Sequence, residues 1–492
     1  MKRNQLVIVL ISMVLLASSC KDFLDLAPKS ASTDENFWKT QDDANNAVAG
    51  MYALLRSAFN SGNGVAFYAY GDMPSDEFTT SNTYPYQHVV SMNWGLPLSV
   101  YATTDAMYLL RRYDLFYRVI DQANRVIKYV PEMDSDVFDN QRTRNFLLGE
   151  AYYMRAFTYF YIGRIWGGVP ILTEAVAPIY AENHAAATTE EVMAQSLADL
   201  AKAKELLDWE NLASADFAVR ANKGAAFALE AHVHAWTGNY EASAAAADSV
   251  IKSGLYYYVS RDSIPYHTIF EGNSAEGIFE ISQNAANEGT RVGIGDFTLA
   301  GTKYHRTHTA PRLTITKAHI KTLFDDPADK RLTYTYDTTV SSSFVICNKY
   351  ANLTYSDETN NAVPIYKNNI VVFRYSDIKL LRAEALAMTG KAADARTILD
   401  EVRFQSGLQP WDGEGSLIEA IFDERARELF LEGHRYYDMV RLYRYGGVYQ
   451  FNSVRMSEEL FNRGKYVWPF DPSLINQNPL LRQNTYWSTV SL

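Results

Sequence analysis

ANKGAAFALEAHVHAWTGNYEASAAAADSVIKSGL, residues Ala221 to Leu255, has the pattern of two helices joined by a tight turn. Apolar and small residues recur at helical spacing on both sides of Gly238-Asn239, a pair that is typical of a helix end. Small side chains such as Ser243 and Ala247 let two helix backbones approach closely. A hairpin of this size matches the period of about 34 residues found in tetratricopeptide (TPR) repeats.

A second segment, Ile378 to Gly407, has the same internal spacing in IKLLRAEALAMTGKAADARTILDEVRFQSG. When Gly390 is aligned with Gly238, Ala383 falls at the place of Ala231. Two hairpins with one spacing predict a helical scaffold of stacked hairpins, although two unrelated hairpins remain an alternative. Such scaffolds bind partners and seldom catalyse reactions, so the scaffold alone does not name a function.

The composition fits a well-packed protein with an unusual supply of aromatic side chains. The chain has 492 residues, 47% of them hydrophobic, which is ample for a core. The net charge of −11 argues against nucleic acid as a partner. The 34 tyrosines and 8 tryptophans suit either dense packing or recognition of polar, flat-faced ligands.

The N-terminus predicts export and a lipid anchor. The basic pair Lys2-Arg3 precedes the apolar run Leu6–Ala17, which is too short to span a bilayer. The run leads into LASSC, which ends at Cys20 and resembles the lipobox of bacterial lipoproteins, with alanine where the box prefers leucine. Cys347 is the only other cysteine, so lipidation of Cys20 leaves no internal disulfide. An ordinary secretory signal is the alternative.

Three motifs spread along the chain share one family resemblance. The first begins at Cys20 with CKDFLDLAP and continues through ENFW and DANNAVAGMY, which ends at Tyr52. The second joins RAFTYF, from Arg155, to GGVPI, and the third is ERARELFLEGHRYYDMVR, which ends at Arg441. Together they resemble the SusD/RagB family of outer-membrane lipoproteins of Bacteroidetes, and the tail from Trp468 resembles that family's usual C-terminus.

The resemblance implies a mostly α fold in which TPR-like helical hairpins carry an irregular, loop-rich lobe with a few short strands. We expect a signal peptide at 1–19, a lipidated tether at 20–33 and a single domain at 34–492. The scaffold is expected at about 34–60, 105–255 and 373–446, and the irregular segments at about 61–104 and 256–372. Periodicity and composition further predict helices over Asp105–Val130, Phe146–Trp166 and Glu419–Arg444, and a strand over Ser343–Cys347.

Charged residues in the third motif recur every three or four positions, which predicts a ladder of opposite charges on one helix face. The ladder comprises Glu428, Glu432, Arg435, Asp438 and Arg441. A catalytic carboxylate pair is one interpretation. A network that locks the helix to the scaffold is favoured, because arginines between carboxylates keep those acids ionised.

The sequence contains no H-E-x-x-H, G-x-S-x-G or P-loop motif, and its nine histidines show no metal-ligand spacing. We therefore name no catalytic residue, metal ligand or cofactor, and we expect a binding protein. A surface hydrolase remains an alternative, since a glycosidase needs only two carboxylates.

Aromatic and polar side chains alternate in the two irregular segments. Aromatic rings stack on the apolar face of a sugar, and Asp or Asn side chains bond to its hydroxyl groups. For any single ring, packing onto the scaffold is the favoured alternative. The family's sugar site is built from these two regions, so the resemblance implies a site of Asp76, Asn93 and Trp94 with Tyr304.

The function implied by the resemblance is capture of a nutrient, usually a glycan, at the cell surface. Such proteins sit beside a SusC-type TonB-dependent transporter in the outer membrane and pass the nutrient to it. A TPR-type lipoprotein that binds proteins or peptides is a further alternative. The sequence specifies neither the sugar nor its linkage.

We predict that the mature protein begins at Cys20 and is held at the membrane by acyl chains on that residue. Cys20→Ala should release the protein from the membrane fraction or leave it unprocessed, because no other segment of the sequence is predicted to anchor it. Fractionation and metabolic lipid labelling of both forms measure this. An unlabelled wild type whose variant still fractionates with outer membrane would contradict the prediction.

Overall fold

The computed structural model describes residues 37–80, 86–96, 106–175, 182–283, 293–357, 359 and 362–490. Cys20 and the tether therefore lie outside the described residues. Within the described part, ten helices of 12 or more residues build the scaffold. They are α1 (Gln41–Phe59), α2 (Asp114–Tyr129), α3 (Gln141–Trp166), α4 (Thr189–Leu206), α5 (Lys223–Trp236), α6 (Tyr240–Lys252), α7 (Tyr375–Met388), α8 (Ala392–Gln405), α9 (Leu417–Glu428) and α10 (Arg435–Gly446).

The first predicted hairpin is confirmed as α5 and α6. Asn239 begins α6 by accepting a hydrogen bond from the Ala242 amide at 3.4 Å. Gly238 has φ +77°, and a Cβ at this position would lie 2.6 Å from the ring of Tyr445. The turn therefore requires glycine for both its conformation and its space. The Ser243 hydroxyl donates to a carbonyl of the facing helix at 2.9 Å, which shows how closely the backbones approach.

The second predicted hairpin is confirmed as α7 and α8, and it packs directly against the first. Helix α6 lies along α7, and α5 also contacts α7. His232 on α5 bonds to Asp377 on α7 at 2.7 Å, and the Tyr240 hydroxyl of α6 donates to Glu384 at 3.3 Å. The two hairpins thus form neighbouring parts of one helical layer, and the mostly α scaffold expected from the sequence is present.

Eight short strands and several short helices form the irregular lobe in the described part of the chain. The strands are β1 (Thr79–Thr80), β2 (Gly277–Ile281), β3 (Leu313–Thr316), β4 (Tyr336–Asp337), β5 (Phe344–Cys347), β6 (Leu353–Tyr355), β7 (Pro364–Tyr366) and β8 (Ile370–Arg374). They pair as β1-β3-β5-β4, β2-β8 and β6-β7, with every pair antiparallel. Strand β5 confirms the predicted strand, and the β1–β3 pair joins the two irregular segments of the sequence.

Short helices complete the lobe and its connections to the scaffold. They span Ser61–Gly64, Ala66–Gly71, Gln87–Val90, Ala106–Leu110, Ser263–Glu271, Ile294–Thr298, Lys317–Leu323, Lys330–Thr335, Glu458–Leu460 and Pro472–Gln477. The helix predicted over Phe146–Trp166 is present and begins five residues earlier, at Gln141, where Asn140 caps it.

The prediction of one continuous helix over Asp105–Val130 is wrong, because Ala106–Leu110 and Asp114–Tyr129 are two separate helices. The Leu110 carbonyl accepts from the Tyr70 hydroxyl at 2.9 Å, and the Arg111 carbonyl accepts from the Asp471 amide at 2.9 Å. These distant donors replace the N–H groups of a continuing helix, so the periodicity of the local sequence does not reveal the break.

The single helix predicted over Glu419–Arg444 is also wrong, because α9 ends at Glu428 and α10 begins at Arg435. The connector contains Leu431 at φ +60° and Gly433 at φ +78°, which no α-helix accommodates. The Lys349 ammonium donates to the Glu428 and Phe430 carbonyls at 3.1 and 2.9 Å. A side chain from the lobe therefore donates to carbonyls that would accept backbone N–H groups if the helix continued.

Within the ranges given above, the structure contains no helix with both the length and the apolar character needed to cross a bilayer.

We predict that Ala383→Trp destabilises the protein, because Ala383 is fully buried on α7. Forcing an indole into this packing should lower the free energy of unfolding by ~1–3 kcal/mol or more. Urea unfolding measures the change, with Ala393→Trp on the exposed face of α8 as the matched control. Equal stability of the two variants would contradict the assignment of Ala383 to a packed hairpin interface.

Candidate functional site

The third sequence motif forms a buried ionic network centred on Glu428. Its carboxylate accepts from Arg261 at 2.7 Å, from Arg374 at 2.8 Å and from Arg331 at 2.9 Å, and all four side chains are buried. Burial acts to raise the pKa of Glu428, but the three arginines outweigh it and hold that pKa well below its ordinary value. Glu428 therefore stays ionised and cannot serve as a general acid, which supports the structural interpretation of the charge ladder.

The remaining ladder residues find partners on other elements. Glu432 pairs with Arg374 at 2.6 Å, and Arg441 on α10 pairs with Glu384 on α7 at 2.7 Å. Only the Asp438–Arg441 pair, at 2.8 Å, joins two ladder residues within one helix. The predicted network of ion pairs is present. Most of its pairs join different helices and strands, so it is not a ladder along one helix face.

Trp94 lies in the core, with none of its surface exposed. Its ring stacks on Trp468 with a centroid separation of 4.5 Å and an interplanar angle of 10°, and its Nε1 donates to the Val89 carbonyl at 3.3 Å. Stacking on a sugar requires an exposed ring face, so this burial opposes the ligand-binding role expected for Trp94. Five further rings of the first irregular segment are also buried: Phe67, Tyr68, Tyr70, Phe78 and Tyr86.

Asp76 and Asn93 both reach the surface. The Asp76 side chain is 38% exposed and pairs with Arg435, whose Nε lies 3.3 Å from Oδ1. Burial acts to raise the pKa of Asp76, but Arg435 outweighs it and that pKa lies below its usual value. Among the described residues, no hydrogen bond or ring contact joins any two of Asp76, Asn93, Trp94 and Tyr304.

Tyr304 lines a polar cleft in the irregular lobe with a volume of about 310 Å³. This volume lies at the lower end of the range that is common for small-molecule sites. The residues that line the cleft are His267, Glu271, Tyr304, Asn348, Lys349, Ala351, Asn352 and Asn368. The cleft thus combines one aromatic ring with three amide side chains.

Hydrogen bonds fix several walls of this cleft in place. The Tyr304 hydroxyl donates to Asp337 Oδ2 at 2.9 Å, and Asn368 Nδ2 donates to the carbonyls of Phe270 and Lys349 at 2.8 and 3.2 Å. The backbone N–H of Asn352 donates to Asn368 Oδ1 at 2.9 Å. Its side-chain amide makes no hydrogen bond to the described residues, so both the NH₂ group and the oxygen are available to a ligand. A fixed ring beside an available amide is the combination that recognises a sugar's apolar face and its hydroxyl groups.

A cluster that the sequence pattern does not reveal is formed by Asp296, His305 and His308, in the segment that carries Tyr304. Their candidate ligand atoms lie within 4.8 Å of one another. The signal was the spacing of three between the two histidines, but Asp296 comes from a separate short helix.

The hydrogen bonds of the cluster do not fit a metal site. Nδ1 of His305 accepts from the His308 amide at 3.1 Å, so Nε2 carries the proton and donates to the Tyr366 hydroxyl at 3.1 Å. Asp296 is already paired with Arg312 at 2.7 Å. The cluster instead braces the loop that carries Tyr304.

Comparison with known proteins finds one family along most of the chain. A model described as SusD family matches residues 330–487, and a model described as starch-binding associating with outer membrane matches residues 22–234. SusD-like protein P38 from Formosa agariphila is 27% identical and the match covers 97% of each chain. SusD-like protein P2 from the same organism is 24% identical and the match covers 98% of this chain and 99% of that one.

Solved structures give the same result for the fold. A SusD homolog from Bacteroides thetaiotaomicron superposes with a TM-score of 0.78 at 26% identity, covering 91% of this chain and 98% of that one. NanU from B. fragilis superposes with a TM-score of 0.73 at 23% identity, covering 94% and 100%. The likeness therefore extends over the helical layer and the lobe together.

We predict that Trp94→Ala lowers the free energy of unfolding by about 3–5 kcal/mol, because it leaves a cavity against Trp468. Denaturant unfolding measures this, with Phe404→Ala as a control, since Phe404 is 75% exposed. An unchanged unfolding midpoint accompanied by loss of glycan binding would instead place Trp94 at the ligand.

Proposed function

Because the chain belongs to the SusD family, we propose that it is a cell-surface lipoprotein that captures a glycan and delivers it to a SusC-type TonB-dependent transporter. Members of this family bind starch or other glycans and associate with the outer membrane. For this chain we propose an anchor of acyl chains on Cys20 and a position on the outer face of that membrane. The lipobox-like sequence and the likeness to SusD proteins over the whole chain support this proposal.

The observation that carries the proposal is the cleft beside Tyr304. It joins an aromatic ring, three asparagine amides and a histidine in a volume of about 310 Å³. The ring is held by its hydroxyl bond to Asp337, and the surrounding lobe is tied to the helical scaffold by the Glu428 network. A pre-formed polar cleft of this kind binds a hydroxyl-rich ligand without a large ordering cost.

Asp76 and Asn93 remain proposed ligand contacts of the first irregular segment. Both are exposed, and the ion pair of Asp76 with Arg435 fixes the direction of its carboxylate. They would act on a part of a longer glycan that lies outside the Tyr304 cleft, since no contact joins them to Tyr304 in the described structure.

A binding role is proposed over a hydrolytic one on the basis of the carboxylates in the cleft. Glycoside hydrolysis ordinarily uses two carboxyl groups about 5–10 Å apart that flank the scissile bond. Glu271 is the one carboxylate among the described residues that line the cleft. The buried acids of the ladder are ion-paired and have no access to a substrate.

We predict that Tyr304→Ala weakens glycan binding roughly tenfold or more, because stacking on the accessible face of this half-buried ring contributes on the order of 1–3 kcal/mol, by analogy with base stacking. Calorimetric titration of the purified protein with a panel of oligosaccharides identifies a ligand and compares the variant with wild type. Tyr257→Ala is the matched control, since Tyr257 is 63% exposed and does not line the cleft.

Both variants should keep the wild-type circular dichroism spectrum, and Tyr304→Ala should lower the unfolding temperature, because it removes a half-buried ring and its bond to Asp337. Equal glycan affinities for wild type and Tyr304→Ala would remove Tyr304 from the site. Product formation from any oligosaccharide during the titrations would favour the hydrolase alternative.

A further inference from the structure

Arg164 is a buried cation in the last turn of α3, and only 6% of it is exposed. Two aromatic rings contact its guanidinium, whose Cζ lies 4.2 Å from the centre of Phe160 and 4.0 Å from the centre of Tyr437. None of its N–H donors makes a hydrogen bond or an ion pair to the described residues, and Nε is fully enclosed. Burial lowers the pKa of Arg164, but an arginine remains protonated at neutral pH.

The carboxylates near Arg164 are already balanced by other arginines. Asp438 attracts Arg164 and Arg441 repels it, and these two side chains pair with each other at 2.8 Å. Asp438 also accepts from Arg425 at 2.8 Å, and Arg441 pairs with Glu384 at 2.7 Å. The positive charge of Arg164 is therefore left without a carboxylate partner. Aromatic faces offset part of the cost of burying this charge, but they give its N–H groups no acceptor of ordinary strength.

Further donors without acceptors lie beside Arg164. The Tyr437 hydroxyl and the Trp236 Nε1–H are both buried and have no hydrogen-bond partner among the described residues. The two rings pack in a T shape with a centroid separation of 5.9 Å. Arg444 on α10 is exposed, forms no ion pair within the described chain, and has its Cζ 5.6 Å from the centre of the Trp236 ring. This end of the scaffold thus collects positive charge and hydrogen-bond donors, a combination that an anion complements.

We propose that Arg164 is the centre of a binding site for a small monovalent anion, of which chloride is the simplest. The anion accepts from the terminal nitrogens of the guanidinium, since Nε is enclosed, and the Tyr437 hydroxyl supplies a neutral donor beside them. Arg444 attracts anions to this surface. The small accessible fraction of Arg164 favours a compact anion over a bulky one. None of these residues lines the Tyr304 cleft, so the inference is independent of the proposed function.

Chloride NMR tests the site directly, because chloride that exchanges with a protein site gives a broader signal. The purified mature protein is titrated with sodium chloride in sodium gluconate, whose bulky anion keeps the ionic strength constant. We expect saturable broadening with wild type. Arg164→Met and Arg164→Gln should bind chloride roughly tenfold more weakly or worse, because they remove the charged donor. Arg118→Met, on exposed α2 surface, is the matched control and should bind like wild type.

Thermal unfolding distinguishes an anion site from an arginine that only packs. A ligand that binds the folded state alone raises the melting temperature, so chloride should stabilise wild type and Arg118→Met more than Arg164→Met. In gluconate alone, Arg164→Met should be at least as stable as wild type, because it replaces an uncompensated buried charge with an apolar side chain. Circular dichroism of each variant checks that it is folded.

The absence of saturable broadening with wild type would overturn the proposal, whatever the variants do. Equal broadening with wild type and with the folded Arg164 variants would overturn it as well. A difference in melting temperature between wild type and Arg164→Met that chloride does not change would assign Arg164 to ring packing alone, against the proposal. Glycan affinity does not enter these measurements, so either result leaves the proposed function unaffected.

Discussion

The arrangement of scaffold and lobe depends on the ion pairs that the buried carboxylate of Glu428 makes with three arginines. Glu428 lies at the end of α9, and its three arginine partners come from the segment before the Ser263–Glu271 helix, from the Lys330–Thr335 helix and from the end of β8. Removing one partner from a buried ion pair costs about 3–5 kcal/mol, because the remaining charge stays desolvated. Each arginine thus has a strongly preferred position, and together they fix the lobe on the helical layer.

The sequence was a good guide wherever structure depends on local periodicity. The hairpins α5–α6 and α7–α8 were predicted because small residues recur at helical spacing around Gly238 and Gly390. The break between α9 and α10 was not predictable, since the donor that satisfies the Phe430 carbonyl is Lys349, 81 residues away. Local patterns indicate where a helix could form, and distant side chains decide where it ends.

The sequence suggests which residue types could form the candidate site, but not which of them lie together, for a related reason. Trp94 and Tyr304 are both aromatic residues in irregular segments, and sequence alone does not separate a packing ring from a binding ring. In the structure, Trp94 packs on Trp468 from the C-terminal tail, and Tyr304 lies at the wall of a cleft. The other residues of the cleft come from short elements without periodicity, although the asparagines at 348, 352 and 368 are a compositional signal that could have pointed to it.

Lys349 connects the stability of the fold to the chemistry of the cleft. Three bonds hold its ammonium against the α9–α10 connector, so no N–H donor of Lys349 is left for a ligand. For its ammonium to contact a ligand, Lys349 would have to break its bonds to the Glu428 and Phe430 carbonyls and to the Glu432 carboxylate. No backbone N–H of a continuing helix would replace it at these carbonyls. Breaking such buried, charge-assisted bonds costs more than a single exposed ion pair returns, about 0–1 kcal/mol. The bonds that stabilise the connector between α9 and α10 therefore also occupy all three N–H donors of the one lysine in the described lining of the cleft.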